Sequence, residues 1–162
     1  MIPIVRNSEV EDAIRMAHNL RKADMNELKA VRGNSLDTAH VLYEGIKNSD
    51  KPRTFVIDGE PSAIYGVVNQ NEPNLNVGWV WLLGTDRIKE AKTFFLKHSK
   101  KELEEQGKEY DVLANYVDAR NTVHIKWLKW LGFKFLREVN NYGKEQRKFY
   151  EFARVNIKCA TQ

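Results

Sequence analysis

The chain reads as a single α+β domain over residues 1–162, and three observations predict it. Helical periodicity fills the first third, and period-two runs of β-branched and aromatic residues follow. A lone strand–helix–strand unit and a closing hairpin complete the chain. The length suits one domain. A content of 42 % hydrophobic and 30 % charged residues belongs to a globular protein, not a disordered one.

The elements follow in order. IPIVR is a short strand. Ser8 and Glu11 form a capping box for a helix whose apolar face is Val10, Ala13, Ile14, Ala17 and Leu20. Asp24 and Glu27 form a second box, for a short helix ending at Gly33. Ser35 opens a third helix with Leu36, Ala39, Tyr43 and Ile46 inward. TFVID and SAIYGVV make a hairpin through the Gly-Glu-Pro turn after Asp58. The loop NQNEPNLN leads to the strand VGWVWLL, which Gly84 and Thr85 end. The longest helix runs from about Asp86 to Gln106, with Ile88, Ala91, Phe95 and Leu103 inward. YDVLANYV is a strand, NTVHIKWLKWL a helix, and Gly132 its C-cap. FKFLREV and RKFYEFARV pair across Asn140, Asn141, Tyr142 and Gly143.

Composition excludes several classes. One cysteine, Cys159, permits neither an internal disulfide framework nor a multi-cysteine zinc site, and no metal is expected. No apolar run reaches the ~18 residues of a membrane span, so no membrane partner is expected. The opening residues, MIPIVRNSEVEDAI, carry acids where a signal peptide has its apolar core. A reduced, cytoplasmic location is therefore expected. The net charge of +4 allows an anionic ligand without requiring nucleic acid.

The stretch from Asn121 to Phe133, NTVHIKWLKWLGF, is the most informative. It resembles the second cofactor-contact motif of the Gcn5-related N-acetyltransferases: a strand, an Asn, one helix, then Gly-Phe entering a strand. The element order resembles that fold over nearly the whole chain. The resemblance implies a mixed, mostly antiparallel sheet with one splayed parallel strand pair and helices on both faces. It implies acetyl-CoA in the splay, with an amine as the acceptor. The pantetheine arm would bond the backbone of Leu82 and Leu83. The pyrophosphate would sit on the turn and helix start formed by Gly84, Thr85, Arg87, Ile88 and Lys89. Asn121 would border the pantetheine arm. The wording WLLGT…NYVDARN…KWLKWLGF is also similar to acetyltransferase-like internal virion proteins of short-tailed bacteriophages, which would place the chain in the host cytoplasm or the virion.

Departures from that pattern shape the remaining expectations. The pyrophosphate loop reads GTDRIKEA, with Gly84 as its one glycine and Asp86 as a candidate helix N-cap. Leu128 stands where the family often has a thiolate-protonating tyrosine. Asn115 and Tyr116 are then the candidate catalytic residues, and strand alternation lets only one of them face the cleft. Trp79 stands where relatives keep a carboxylate base, so Glu44 or Glu72 is assigned instead. His124, the Trp79/Trp81 pair and the Trp127/Trp130 pair read as structural. Lys144, Arg147, Lys148, Arg154 and Lys158, interleaved with Phe149, Tyr150 and Phe152, form either an amphipathic hairpin or a nucleic-acid surface. Three functions stay open. The first is an acyl-CoA-dependent N-acetyltransferase acting by direct attack, with Cys159 a bystander. The second is a catalytically degenerate protein of that fold serving in a virion or at a host contact. The third is an acetyltransferase acting on nucleic acid or on a nucleic-acid-binding protein.

Overall fold

Seven strands join one sheet in a computed structural model that describes residues 2–156. They are β1 (Pro3–Asn7), β2 (Asp50–Ile57), β3 (Glu60–Asn69), β4 (Val77–Gly84), β5 (Val112–Asp118), β6 (Lys134–Tyr142) and β7 (Arg147–Val155). Their order across the sheet is β1-β2-β3-β4-β5-β7-β6, antiparallel except where β4 and β5 run parallel. The five helices are α1 (Val10–Met16), α2 (Lys22–Arg32), α3 (Thr38–Asn48), α4 (Lys92–Gly107) and α5 (Thr122–Trp130). A parallel pair needs a crossover, and α4 provides it between β4 and β5. None of the described helices is long and apolar enough to cross a membrane.

Helices cover both faces of the sheet. Phe95 and Ala91 from the α4 side and Leu128 from α5 pack on Phe55, Leu82, Leu113 and Val117. Met16 of α1 and Leu42 of α3 pack on Ile64 and Leu83 on the other face. Burying side chains of this size contributes about 1.5–3 kcal/mol each against exposure. The Asp58–Gly59 turn joins β2 to β3 with φ of 50° and 79°, as a two-residue hairpin requires.

Local details depart from expectation where tertiary partners intervene. Glu9, not Ser8, caps α1, and its N–H donates to Asp12 at 2.9 Å. Val10 and Ile14 are exposed, because α1 turns Asp12, Ala13 and Met16 inward instead. Asp37, not Ser35, caps α3, accepting from the His40 N–H. Thr85, not Asp86, caps the next segment, a 3-10 helix over Asp86–Ala91 that precedes α4. Strand β6 runs on through Tyr142, with a bulge at Asn141, so the hairpin turns at Gly143–Gln146. Gly143 (φ 71°) lies against the Ala30 carbonyl, where a Cβ would come within 2.5 Å. That turn donates Lys144 N–H to Val31 and Glu145 N–H to Ala30, which ends α2 against the sheet. Trp130 is half exposed under the Lys100 ammonium, so of the α5 tryptophans only Trp127 packs into the core.

Asp12 ties α1 to the sheet. Its carboxylate accepts two 2.8 Å bonds from Arg6 and one from Thr54. Burial would raise its pKa, but the Arg6, Glu9 and Thr54 donors outweigh burial and hold it below the usual range. Asp12→Ala should cost roughly 3 kcal/mol in urea unfolding, because it leaves the Arg6 charge and the Thr54 hydroxyl unmatched. The depressed folded pKa means this contribution is present above pH ~3.9 and lost as pH falls through the folded value.

Candidate functional site

The centre of the sheet comes apart between its two parallel strands. β4 and β5 pair at Val77–Val112, Gly78–Leu113 and Trp79–Ala114, and then diverge. Beyond that point their facing backbone groups lose each other as partners, and each must be met in another way. Asn115 meets the first: its Nδ2 donates to the Val80 carbonyl at 2.9 Å. Its Oδ1 accepts from the Tyr116 N–H at 2.8 Å. Because the Asn115 amide lies in the gap itself, both Asn115 and Tyr116 border the same cavity, contrary to the one-face expectation.

The far end of the gap is bridged from α2. Asp24 is a buried residue in the first turn of α2 and not its cap, which is Arg21. Its Oδ2 accepts from the Gly84 N–H at 3.0 Å, and its Oδ1 accepts from Asn121 Nδ2 at 3.1 Å. Asn121 is itself buried and caps α5, its Oδ1 accepting from His124 N–H and from Arg21. The Arg21 N–H donates to the Gly84 carbonyl at 2.8 Å. The remaining residues expected around a cofactor lie nearby. The side chains of Leu82 and Leu83 enter the cores on opposite faces. Thr85 N–H donates to Ser62, and Ile88 N–H to Thr85. Arg87 is bonded to Glu90, Asp58 and the Ile57 carbonyl, and the exposed Lys89 is 3.4 Å from Asp86.

A cavity of about 350 Å³ opens on the α2–α3 side and runs through the gap to His124 of α5. One wall is aromatic: Trp79, Tyr116 and Tyr142 sit in a row, with Tyr116 stacked on Tyr142 at 4.9 Å. Glu27 of α2 and Glu44 of α3 line the cavity as well. Glu27 accepts the Asp118 N–H at 2.8 Å. Its burial and the nearby Asp24 and Asp118 outweigh that bond and push its carboxyl up to about 8. Burial pushes His124 down to about 4, and its Nδ1 has no hydrogen-bond partner among the described residues. The Tyr116 hydroxyl donates to Glu151 at 2.8 Å, which holds the phenol above its ordinary range. Trp79 is 40 % exposed and walls the cavity, whereas Trp81 packs on the α1–α3 core and against Gly45 while also lining the cavity.

Of the expected bases, Glu44 reaches the cavity, whereas Glu72 lies exposed in its loop outside it. Glu27 was missed because a carboxylate three residues after Asp24 near a helix start reads as a capping box. A signal was available: both acids point from one helix face, and solvation needs no such pairing. On the closing hairpin Arg147 pairs with Glu145, Lys148 with Glu138 and Arg154 with Glu104. Lys158 and Cys159 lie outside the described residues.

Comparison with known proteins gives two kinds of match. Residues 57–140, just over half of the chain, match the family model described as "Bacteriophage T7, probable scaffold protein Gp13". No curated protein matches by sequence. Solved structures match over almost the whole length at low identity. An acetyltransferase of the GNAT family from Streptococcus pneumoniae has a TM-score of 0.67 and 13 % identity, covering 95 % of this chain and 99 % of its own. The ribosomal-protein-S18-alanine N-acetyltransferase from Escherichia coli has 0.66 and 14 %, covering 99 % of each. The protein yncA from Salmonella typhimurium, solved with its cofactor acetyl-CoA, has 0.70 and 13 %, covering 98 % and 96 %. The fold is that of the GNAT acetyltransferases.

The Glu27 carboxyl makes a direct prediction about stability. A raised folded pKa for an acid means the native state binds more protons than the unfolded chain between pH 4.5 and about 8. Stability should fall as pH rises through that window, by up to ~1.4 kcal/mol per unit. His124 acts oppositely below pH 6.5, so the cleanest interval lies above it. Urea midpoints at pH 6.5 and 8.5 should differ in the native protein, and the difference should shrink in Glu27→Gln.

Proposed function

The chain belongs to the family of the bacteriophage T7 probable scaffold protein Gp13, and we propose that it is an acyl-CoA-dependent N-acetyltransferase. It moves an acetyl group from acetyl-CoA to an amine by direct attack in a ternary complex. One observation carries the reading: the β4–β5 pair parts after three residue pairs, and a cavity lined from α2, α3 and both strands reaches the parting and His124 of α5. Two reactants can thus meet between the strands, and most of the rate gain of such a transfer comes from positioning. Structures of the same fold support it, including yncA with acetyl-CoA and an enzyme acting on the alanine of ribosomal protein S18.

Coenzyme A fits the gap on one count that belongs to this chain. His124 brings a buried, unpartnered ring nitrogen to it, and the pantetheine arm carries amides that would satisfy such an atom. Bound there, acetyl-CoA supplies a thioester carbonyl carbon. The chain's own residues do the rest. The backbone of Leu82 and Leu83 would hold the arm, and Gly84, Thr85 and Ile88 would shape the turn at its phosphate end. Arg87 and Lys89 would supply positive charge there by exchanging their present carboxylate partners, Glu90, Asp58 and Asp86, for phosphate. Asn121 holds the start of α5 in place. Asn115 keeps the strands apart at a fixed spacing, and Tyr116 lines the acceptor side. No titrating nucleophile of the chain forms a covalent intermediate in this scheme.

A second reading has its own observation. Asp24 spans Gly84 and Asn121, so a carboxylate already holds the N–H that a cofactor phosphate would use. A protein keeping the fold as a virion or host-contact component, without catalysis, would have that bridge permanently closed.

Calorimetry with acetyl-CoA separates the two. The enzyme reading expects micromolar binding, and absence of binding at millimolar cofactor would favour the second. Replacing Arg87 and Lys89 together by Ala should weaken binding by roughly 2–4 kcal/mol, at about 1.5–3 per charged bond with overlap. Asn121→Ala should raise the KM for acetyl-CoA and lower stability while leaving the pH profile of kcat in place, because an amide does not titrate.

A further inference from the structure

We propose that Glu27 is the group that receives the acceptor's proton, and that the acceptor enters the cavity as the ammonium form of a primary aliphatic amine. The inference rests on the acetyltransferase reading and adds to it the base and the charge state of the acceptor.

Position is the first ground. Strand β4 offers no carboxylate, since Trp79 and Trp81 fill its cavity-facing positions. Two carboxylates line the cavity, and their commitments differ. Glu44 accepts from Asn48 and lies 3.8 Å from His40. Glu27 has no ion-pair partner among the described residues, and the Asp118 N–H holds one of its oxygens at 2.8 Å. That bond aims the group without neutralising it.

The aromatic lining is the second ground. Trp79, Tyr116 and Tyr142 form a row that lines the same cavity as Glu27. Aromatic faces attract a cation far more than a neutral hydroxyl, so a ring row sharing a cavity with a carboxylate that has no ion-pair partner among the described residues is a site for ammonium. The third ground is independent of charge. His124 of α5 lines the same cavity, and its Nδ1 is a buried polar atom with no partner among the described residues.

The surrounding groups set when Glu27 can act. Asp24 on its own helix and Asp118 at the end of β5 both disfavour its charge. Arg120, just after β5, is spent on Asp118 at 2.7 Å. His124 from α5 is neutral, and the Tyr142 phenol from β6 is held protonated. Arg32, on the exposed last turn of α2, is the cation of the cavity rim. Glu27 is therefore a strong base once ionised, and an arriving ammonium favours that ionisation.

In the transfer, an N–H bond of the ammonium breaks and an O–H bond forms on Glu27. The electron pair stays on nitrogen, which becomes the nucleophile. Glu27 then returns the proton to solvent water. The second nitrogen proton, released once the C–N bond has formed, ends on the departing sulfur. The products are an amide, a thiol and one proton in solution.

Two measurements on the whole protein test this. Carbon-13 NMR should show a carboxyl that titrates near 8 and disappears in Glu27→Gln. Saturating n-butylamine, with no cofactor present, should lower that midpoint by about 1–3 units, and n-butanol should not. A midpoint that ignores butylamine, or moves equally with butanol, would overturn the proposal whether or not turnover exists. In kinetics at saturating acetyl-CoA, Glu27→Gln should lower kcat roughly 10²–10⁴-fold and remove the acid limb. Its calorimetric affinity for acetyl-CoA should be unchanged, which shows that the variant is folded. An unaltered pH–rate profile in Glu27→Gln would sink the assignment of Glu27 and leave the acetyltransferase reading standing. Absence of acetyl-CoA binding in the native protein would remove that reading instead.

Discussion

Two parallel strands that pair for three residues and then separate leave a run of backbone donors and acceptors with no ladder to join. A buried peptide group without a partner costs about 1–3 kcal/mol, so the parting survives only if other groups step in. Here they come from three places. Asn115 reaches across to Val80 where the strands first part. Asp24 takes the Gly84 N–H where they end, and Glu27 takes the Asp118 N–H. Two of those three side chains belong to α2, so that helix completes the sheet's hydrogen bonding without being part of it.

This dependence explains why α2 is held so firmly for an eleven-residue helix with little apolar surface of its own. Its first turn is tied through Arg21 and Asp24 to Gly84 and Asn121. Its last carbonyls accept from the β6–β7 turn, where Gly143 lets the two backbones meet. Two acids held near Asp118 are costly to ionise together, and burial alone would neutralise them. The structure divides the load. Asp24 receives Gly84, Asn121 and Arg21, and Asp118 receives Arg120, while Glu27 has the Asp118 N–H and the Asn121 amide but no cation of its own among the described residues. The raised Glu27 carboxyl is thus a consequence of how the gap is bridged.

The bridge also frames the relation between fold and activity. Across this fold a shared architecture does not fix chemistry. In this chain the same Asp24 contact that stabilises the parted strands stands where a phosphate-binding N–H is expected. Whether the gap admits an acyl carrier turns on the competition between one carboxylate and a ligand for the Gly84 N–H. The cavity on the α2–α3 side does not share that conflict, because its walls are set by Trp79, Tyr116 and Tyr142.

Much of the architecture was legible in the residues. The seven strands, five helices and their order follow from periodicity, because apolar spacing is a local property that burial merely enforces. Asn121, Gly132 and Phe133 marked the motif helix for the same reason: a cap, a left-handed turn and a strand start are short-range chemistry. The tertiary structure alone decided which carboxylates matter. Asp24 and Glu27 have the spacing of a capping box, and nothing within α2 reveals that they serve Gly84, Asn121 and Asp118, some sixty to a hundred residues away in sequence. It alone placed Asn115 and Tyr116 on one cavity: β5 stays paired with β7, but the strand that would close its other side has left, and the Asn115 amide turns into that gap. Hydrogen bonds to a stranded peptide group and the desolvation of a carboxylate are set by what lies opposite in space, and no local pattern of residues encodes that.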